Sequence, residues 1–168
     1  LLFDQSGYTK LLAFGAGITG RTLQWLNSLL APTTQQVRLA DGTTSPPRLN
    51  ERGVPQGCCV SPLLFLVWIN DLAADLTCHV NIFADDTVLW SSAPTRQLQQ
   101  EQLQSDLVRF GSWCDTWGVE LQPRKCAHME LSRQRGGKSS GALRFGTTTI
   151  PRAATYKLLG MWVSDDLS

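Results

Sequence analysis

The sequence has neither the paired cysteines of a common zinc site nor a hydrophobic run long enough to cross a membrane. Its five cysteines, Cys58, Cys59, Cys78, Cys114 and Cys126, form no C-x-x-C pair, and only two histidines could complete a metal site. Every apolar stretch falls short of the roughly 18 residues that a membrane span needs, and no signal-peptide pattern is visible. These absences argue against a zinc module and a membrane protein. They predict an intracellular protein whose thiols are reduced and buried.

A disordered chain is excluded by composition. Hydrophobic residues make up 42% of the 168 residues, which is enough for one domain with a core. The chain opens on the apolar residues Leu1, Leu2 and Phe3, and its two methionines are Met129 and Met161. We therefore expect the sequence to be an excerpt from a longer protein.

Charge is unevenly distributed behind a net charge of +1. Residues 1–120 carry 7 Lys/Arg and 11 Asp/Glu, whereas residues 121–157 carry 8 Lys/Arg and a single acidic residue, Glu130. An acidic block followed by a basic one suits a cation-binding site beside a phosphate-binding surface. A solvated hairpin face is the alternative for the basic block.

Hydrophobic periodicity predicts helices and strands without regular βαβ alternation, which indicates the α+β class. Helices are predicted at residues 19–30, 63–76 and 96–118, with Thr19 and Ser61 as N-caps of the first two. Strands are predicted at residues 35–39, near 47–50, as a pair within 80–90, and within 154–163. One face of the third helix is predicted to be core, namely Leu98, Leu103, Leu107, Phe110, Trp113 and Trp117.

The most informative segment is residues 82–90 (IFADDTVLW), where two adjacent carboxylates interrupt an apolar, strand-like run. Neighbouring side chains of a strand point to opposite faces, so a buried strand would leave at least one charge uncompensated. A tight hairpin with Asp85 and Asp86 at its tip avoids that cost. Two oxygen donors at a tip suit Mg²⁺, which keeps waters and accepts phosphate oxygens as further ligands. An ordinary acidic turn is the alternative.

A second informative segment, residues 52–65 (RGVPQGCCVSPLLF), has Gly53 and Gly57 on either side of Gln56, just before a helix start. Glycines let the backbone approach a flat or charged partner closely. The glutamine side chain offers a donor and an acceptor to a base or a sugar. A purely structural turn is the alternative, and it would be the favoured interpretation if this segment stood alone.

Taken together, the two segments resemble reverse transcriptases of LINE-type, non-long-terminal-repeat retrotransposons, in their order and in the 28-residue spacing from Gly57 to Asp85. The resemblance runs over nearly the whole chain. It is carried by five segments that match palm motifs one to five of the family in order: residues 2–4, 52–65, 83–86, 113–125 and 156–160.

The resemblance implies a right-hand polymerase palm, with a small antiparallel sheet packed on helices, that copies RNA into DNA by two-metal nucleotidyl transfer. The implied palm covers residues 1–130, and residues 131–168 form a basic hairpin and a primer-grip-like segment leading toward a thumb. The implied cofactor is Mg²⁺ or Mn²⁺. The implied partners are an RNA template, a DNA primer and deoxynucleoside triphosphates, without a membrane, and the implied location is the nucleus.

A role for each matching residue also follows from the resemblance. Asp85 and Asp86 are implied metal ligands, with Asp85 as the primary one. Lys125 matches a lysine that protonates the departing pyrophosphate, and Phe3 matches an aromatic that excludes a ribose 2′-hydroxyl. The other matching residues are implied to bind nucleotide and template (Gly53, Gln56 and Gly57) or to hold the primer terminus (Leu158 and Gly160).

The first metal-binding Asp of the family lies five residues before the aromatic that Phe3 matches, a position that precedes Leu1. Asp4 matches a different acidic residue, and we do not expect it to be catalytic. The chain alone is therefore expected to be inactive, and its parent protein active. Two alternatives remain: a non-enzymatic relic or domesticated nucleic-acid-binding domain, and a reverse transcriptase of group II intron or telomerase type. The Trp113/Trp117 pattern favours the LINE type.

Overall fold

Three α-helices and eight short strands lie within the residues that the computed structural model describes, which are 17–50, 57–122, 125–131 and 141–166. The chain divides into two units. The first comprises Leu1–Asp71 with Asp115–Glu120, and the second comprises Leu72–Cys114 with Leu121–Ser168. Helices and small antiparallel strand pairs occur together, so the predicted α+β class is confirmed. The predicted division at residue 130 stays a prediction.

The helices are α1 (Gly20–Leu29), α2 (Ser61–Ile69) and α3 (Arg96–Trp117), and a 3₁₀ turn at Asn70–Ala73 follows α2. The strands are β1 (Thr33–Gln35), β2 (Arg48–Asn50), β3 (His79–Phe83), β4 (Asp86–Trp90), β5 (Arg144–Phe145), β6 (Thr148–Thr149), β7 (Thr155–Leu158) and β8 (Met161–Ser164). No helix in the described ranges combines the length and the hydropathy that a bilayer span requires.

Every described strand pairs antiparallel with its neighbour in sequence, which gives four separate hairpins. The β3–β4 hairpin coincides with the pair of strands predicted within residues 80–90, and the β7–β8 hairpin coincides with the strand-rich segment predicted at 154–163. A two-residue loop closes each. A two-stranded hairpin by itself is at best marginally stable in water. Each of these hairpins therefore depends on contacts with the rest of the chain.

The first hairpin is shorter than predicted in its first strand. β1 ends at Gln35, because the following residues form a hydrogen-bonded turn instead of a ladder. The N–H of Leu39 donates to the carbonyl of Thr43 (2.8 Å), and the N–H of Thr43 donates to the carboxylate of Asp41 (2.9 Å). The predicted turn at Asp41 and Gly42 is confirmed, and Gly42 has a φ of +88°.

Helix ends differ from the sequence predictions in detail. Thr19 is the N-cap of α1, as predicted, but its side chain makes no capping hydrogen bond. The N-cap of α2 is Val60, so Ser61 is the first helical residue and is only 6% exposed. The predicted second helix was too long, because the backbone tightens into the 3₁₀ turn at Asn70, a residue type that favours helix ends.

A small apolar cluster joins α1 and α2 in the first unit. Leu26 and Leu64, each 3% exposed, form its centre. The partly buried residues packed against them are Ile18, Leu29, Leu30, Val60 and Val67. Full burial of a leucine side chain contributes roughly 2 kcal/mol, so this cluster is the main attachment of α1 to the helix that follows the Gly57 turn.

α3 supports the second unit. The hydroxyl of Thr95 caps it by accepting the N–H of Leu98 (3.2 Å). Its buried residues are Asp106, Phe110 and Cys114, spaced four apart on one face. The predicted core stripe was therefore right for Phe110 and wrong for Leu98, which lies in the first turn and is 41% exposed.

All five cysteines are free thiols. Only Cys114 is buried, so the prediction of buried thiols was wrong for the other four. Short helices and isolated hairpins leave most side chains within reach of solvent, which explains this difference.

Side-chain contacts attach the β5–β6 hairpin to α3. The side-chain amide of Gln104 donates to the carbonyl of Arg144 and accepts its N–H, both at 2.9 Å. The ring of Phe110 meets Phe145 edge-on at 6.2 Å between centroids. These contacts are of the kind that rigidifies a surface hairpin, because they satisfy backbone groups and bury aromatic surface together.

Replacing Leu26 by Ala should lower the free energy of opening of α1 by about 3 kcal/mol, because buried methyl groups are lost and a cavity remains. Trp25→Ala is the matched control, since Trp25 is the preceding residue and is 50% exposed; its effect should stay within about 1 kcal/mol. Hydrogen–deuterium exchange of a peptide spanning α1 measures both values. An equal loss of protection in the two variants would contradict the packing described.

Candidate active site

The acidic pair lies at the tip of the β3–β4 hairpin. Phe83 and Asp86 are the last paired residues, and Ala84 and Asp85 form the loop between them. Ala84 has a φ of +50°, a left-handed conformation that costs a non-glycine residue roughly 1–2 kcal/mol and that two-residue hairpin loops need at their first position. Both carboxylates are exposed. The predicted hairpin is therefore present, whereas the roles of its two aspartates stay predictions.

The donor set at this tip fits part of a divalent-cation site. Asp85 and Asp86 provide hard carboxylate oxygens, which suit Mg²⁺ and Mn²⁺. Among the described residues, no group of three or more His, Cys, Asp or Glu side chains could hold a metal ion. Waters and phosphate oxygens can act as further ligands on the open side of the tip.

The open end of the same hairpin is fastened to α3. His79 and Trp90, the first register pair, stack with ring centroids 3.9 Å apart and an interplanar angle of 18°. Directly after β4, the hydroxyl of Ser91 donates to the side-chain carbonyl of Gln102 at 2.5 Å. At the end away from the carboxylates, the stacked rings therefore join the two strands. The hydrogen bond of Ser91 ties β4 to α3 at the same end.

Asp106 makes the corresponding connection just before β3. Its carboxylate is fully buried and accepts the backbone N–H groups of Thr77 (2.8 Å) and Cys78 (2.6 Å) and the hydroxyl of Thr77 (3.1 Å). The guanidinium of Arg109 donates to it at 2.7 Å. Three donors from the strand side and one from the helix thus converge on a single carboxylate.

These contacts set the ionisation of Asp106 and Cys78. Burial raises the pKa of the Asp106 carboxyl, but the hydrogen bonds from Cys78 and Thr77 together outweigh it and hold that pKa below its ordinary value. Burial, followed by the hydrogen bond to Asp106 and its charge, raises the pKa of the Cys78 thiol to about 11. At neutral pH Asp106 is therefore a carboxylate and Cys78 a neutral thiol.

An apolar cleft of about 340 Å³ separates the β3–β4 and β7–β8 hairpins. The first hairpin contributes five of its lining residues: Asn81, Ile82, Phe83, Asp86 and Val88. The second contributes Leu158 and Leu159. The structure thus brings the predicted primer-contact residue Leu158 into the same cleft as Asp86.

The tip of the β7–β8 hairpin is a second strained turn. Leu159 and Gly160 form its two-residue loop with φ values of +48° and +87°, the signs of a type I′ turn. Gly160 adopts this conformation without penalty, whereas the leucine is held at a roughly 1–2 kcal/mol disadvantage. A residue in such a conformation persists only where the surrounding contacts fix the backbone.

Lys125 is exposed and is attached to this second hairpin through its backbone. Its carbonyl accepts the hydroxyl of Tyr156 at 3.1 Å, and its N–H donates to the carbonyl of Gln122 at 2.9 Å. Lys125 therefore lies beside β7, the strand that ends in the predicted primer-contact residue Leu158.

Of the predicted nucleotide-binding residues, only Gly57 is described. It is exposed and has a φ of +79°, and apart from its chain neighbours none of the described residues comes within 4 Å of the position a Cβ would take. The described part of the chain therefore leaves its backbone open to a partner. Phe3, Gly53 and Gln56 lie outside the described residues, as does the basic stretch at 132–140. Their roles stay predictions.

Comparison with known proteins decides the family. The family described as reverse transcriptase (RNA-dependent DNA polymerase) matches residues 5–163. The chain belongs to the reverse transcriptase family. The family predicted from the sequence motifs is therefore confirmed.

Relatives of this reverse transcriptase chain come from mobile elements of flies. The RNA-directed DNA polymerase from mobile element jockey of Drosophila melanogaster is 26% identical over 140 residues, which are 76% of this chain and 15% of that protein. The probable RNA-directed DNA polymerase from transposon BS of Drosophila melanogaster is 31% identical over 108 residues, covering 60% and 12%. The jockey polymerase of Drosophila funebris is 23% identical over 137 residues, covering 77% and 15%.

The chain thus spans no more than 15% of the length of these relatives. Their names agree with the retrotransposon type that the sequence motifs implied. No solved structure matches the chain.

Two residues of this reverse transcriptase chain were not singled out from its sequence. Asp106 lies four residues before Phe110 and eight before Cys114, so an acidic residue on the apolar face of a helix was the available signal. Leu159 gave no such signal, because a leucine is not a residue type that type I′ turns favour.

Acid should weaken the attachment that Asp106 makes. Its folded pKa lies below the roughly 3.9 of an unfolded aspartate, so its stabilising contribution is complete above that value and is lost as the pH falls through the folded pKa. The free energy of unfolding, measured in urea from pH 5 to pH 2, should therefore fall more steeply for the wild-type chain than for Asp106→Asn. Parallel decreases in the two proteins would contradict this role.

Proposed function

We propose that the chain is the part of an RNA-directed DNA polymerase that holds the catalytic metal ions beside the primer end. One observation carries the proposal: the exposed Asp85 and Asp86 lie at a hairpin tip whose apolar cleft also contains Leu158 and Leu159. Because the chain belongs to the reverse transcriptase family, we interpret the two aspartates as ligands of catalytic metal ions. The relatives are named as RNA-directed DNA polymerases, and the same activity is proposed for the protein that contains this chain.

The proposed architecture is the palm of a right-hand polymerase, in which small antiparallel hairpins rest on helices. The attachment of the β3–β4 hairpin to α3 through Asp106 and Gln102 supports this architecture. The proposed biological role is retrotransposition, which agrees with the mobile-element origin of the relatives.

In the proposed reaction, bound Mg²⁺ or Mn²⁺ would align the primer 3′-hydroxyl with the α-phosphate and neutralise charge on the phosphoryl oxygens. Asp85 and Asp86 hold the ions through carboxylate oxygens, with Asp85 as the primary ligand. Because both side chains are exposed, they leave room for the phosphates of the incoming nucleotide. Leu158 and Gly160 hold the primer terminus at the other side of the cleft.

The remaining roles are proposed from the sequence motifs. Lys125 supplies a proton to the departing pyrophosphate, and Phe3 excludes a ribose 2′-hydroxyl. Gly53, Gln56 and Gly57 shape the pocket for template and incoming nucleotide. The partners are an RNA template, a DNA primer and deoxynucleoside triphosphates, and the proposed location is the nucleus.

Asp85→Asn in the full-length protein should abolish primer extension on an RNA template, by at least about a thousandfold, because a neutral amide binds Mg²⁺ poorly and leaves the charge of the phosphates uncompensated. Asp41→Asn is the matched control, since Asp41 is also an exposed aspartate in a hairpin turn and its hydrogen bond to Thr43 can be kept by an amide oxygen. Template binding should persist in both variants. The measurement is extension of a labelled primer with Mg²⁺ or Mn²⁺.

Near-normal extension by Asp85→Asn would overturn the metal assignment. Absence of extension by the wild-type full-length protein itself, with template binding retained, would favour the alternative of a nucleic-acid-binding relic.

A further inference from the structure

We propose that Asp106 is a positioning residue of the active site: together with Gln102 it fixes the open end of the β3–β4 hairpin on α3 and thereby holds Asp85 and Asp86 in place. The inference rests on the proposed function of the two tip carboxylates. Asp106 itself is fully buried under its hydrogen-bond partners and acts through the strand, without contact to substrate.

The anchor has two points on one face of the helix. Gln102 and Asp106 are four residues apart and therefore lie one above the other on α3. The side-chain carbonyl of Gln102 accepts a hydrogen bond from the hydroxyl of Ser91, the residue directly after β4. The carboxylate of Asp106 accepts hydrogen bonds from the backbone N–H groups of Thr77 and Cys78, the two residues directly before β3. Both chain ends of the hairpin are therefore tied to adjacent turns of the same helix.

Among the described strands, none pairs with β3 or β4 except these two with each other. A two-stranded ribbon is at best marginally stable by itself. On the tip side, its described neighbours across the open cleft are Leu158 and Leu159. The hydrogen bonds that tie the ribbon to α3 therefore lie at the end away from the tip.

A small rotation at the anchor becomes a large displacement at the tip. Asp85 lies seven residues after Cys78, and at roughly 3.3 Å per residue this distance is about 23 Å. A rotation of about 3° at the anchor would therefore move the tip by about 1 Å. Misplacing a catalytic group by that distance can reduce a rate by about a hundredfold.

The chemistry of a carboxylate suits this task. Two oxygens of one rigid side chain accept two consecutive backbone N–H groups and the Thr77 hydroxyl, while Arg109 neutralises the charge from the helix side. An asparagine has one accepting oxygen and would direct N–H groups at donors, so it would lose part of the bonding without changing the volume of the side chain. Asp106→Asn is therefore the informative variant.

The test compares Asp106→Asn with Glu101→Gln in the full-length protein. Glu101 lies on the same helix, is exposed, and its carboxylate accepts the side-chain amide of Gln97 one turn away at 3.0 Å, so its change removes the same charge without touching the hairpin. The first readout needs no activity: amide hydrogen exchange of the metal-free protein, in peptides covering residues 77–91 and, for comparison, α1. The second readout is the Mg²⁺ concentration that gives half-maximal primer extension.

For Asp106→Asn we expect faster exchange confined to residues 77–91, a several-fold higher Mg²⁺ requirement and a turnover number lower by up to about a hundredfold. Glu101→Gln should match the wild type in every readout. If Asp106→Asn lowers only the fraction of folded protein, while the surviving molecules keep the wild-type exchange pattern and Mg²⁺ requirement, the residue is merely structural and the inference is wrong.

Ser91→Ala provides a milder second variant in case Asp106→Asn fails to fold. It removes only the bond to Gln102 and should shift exchange and Mg²⁺ requirement in the same direction by a smaller factor; wild-type values would overturn the two-point anchor. Asp85→Asn separates this inference from the proposed function. If Asp85→Asn remains active, the proposed function fails, whereas if it is inactive and the anchor variants behave like the wild type, only the inference fails.

Discussion

A pair of charged side chains at the free end of a narrow ribbon can keep a defined position only if the other end of the ribbon is fixed. The β3–β4 hairpin has this geometry, with Asp85 and Asp86 at the tip. The buried carboxylate of Asp106 fixes the other end, because it accepts hydrogen bonds from the backbone N–H groups of Thr77 and Cys78 just before β3. The geometry of the tip and of the cleft beside it depends on this attachment.

Both hairpins that line the cleft carry backbone strain at their tips. Ala84 and Leu159 have positive φ values although neither is a glycine. Such residues persist where surrounding contacts fix the backbone, and they often occur at functional sites. In the proposed polymerase, the strained turns present carboxylates on one side of the cleft and an apolar wall on the other, which suits a nucleotide that is charged at its phosphates and apolar on the faces of its base.

Much of this arrangement could be predicted because local physics determines it. Adjacent carboxylates in an apolar run predicted the β3–β4 hairpin, since no buried strand could hold both charges. The second hairpin lies in the segment 154–163 that was predicted to be rich in strands, and its turn was implied by the family resemblance. The extent of the second helix was predicted less well, because the apolar pattern continues to Leu76 although Asn70, where the 3₁₀ turn begins, favours a helix end.

The contacts that organise the site were beyond prediction for a different reason. The bond from Cys78 to Asp106 and the shared cleft of Asp86 and Leu158 join residues far apart in sequence. Periodicity showed that α3 has a buried face, but it could not show that an aspartate on that face would bind the chain before β3. Long-range pairing of this kind depends on the packing of whole elements, which a pattern along one segment does not contain.

The most direct test of the central claim is to locate the metal. Fe²⁺ can replace Mg²⁺ and, with ascorbate and peroxide, cleaves a polypeptide close to where it is bound. In the full-length protein with template and primer, we expect cleavage within residues 83–86 that excess Mg²⁺ suppresses and that Asp85→Asn abolishes. Cleavage confined to other segments, or cleavage at the tip that persists in Asp85→Asn, would show that the two aspartates do not hold the metal.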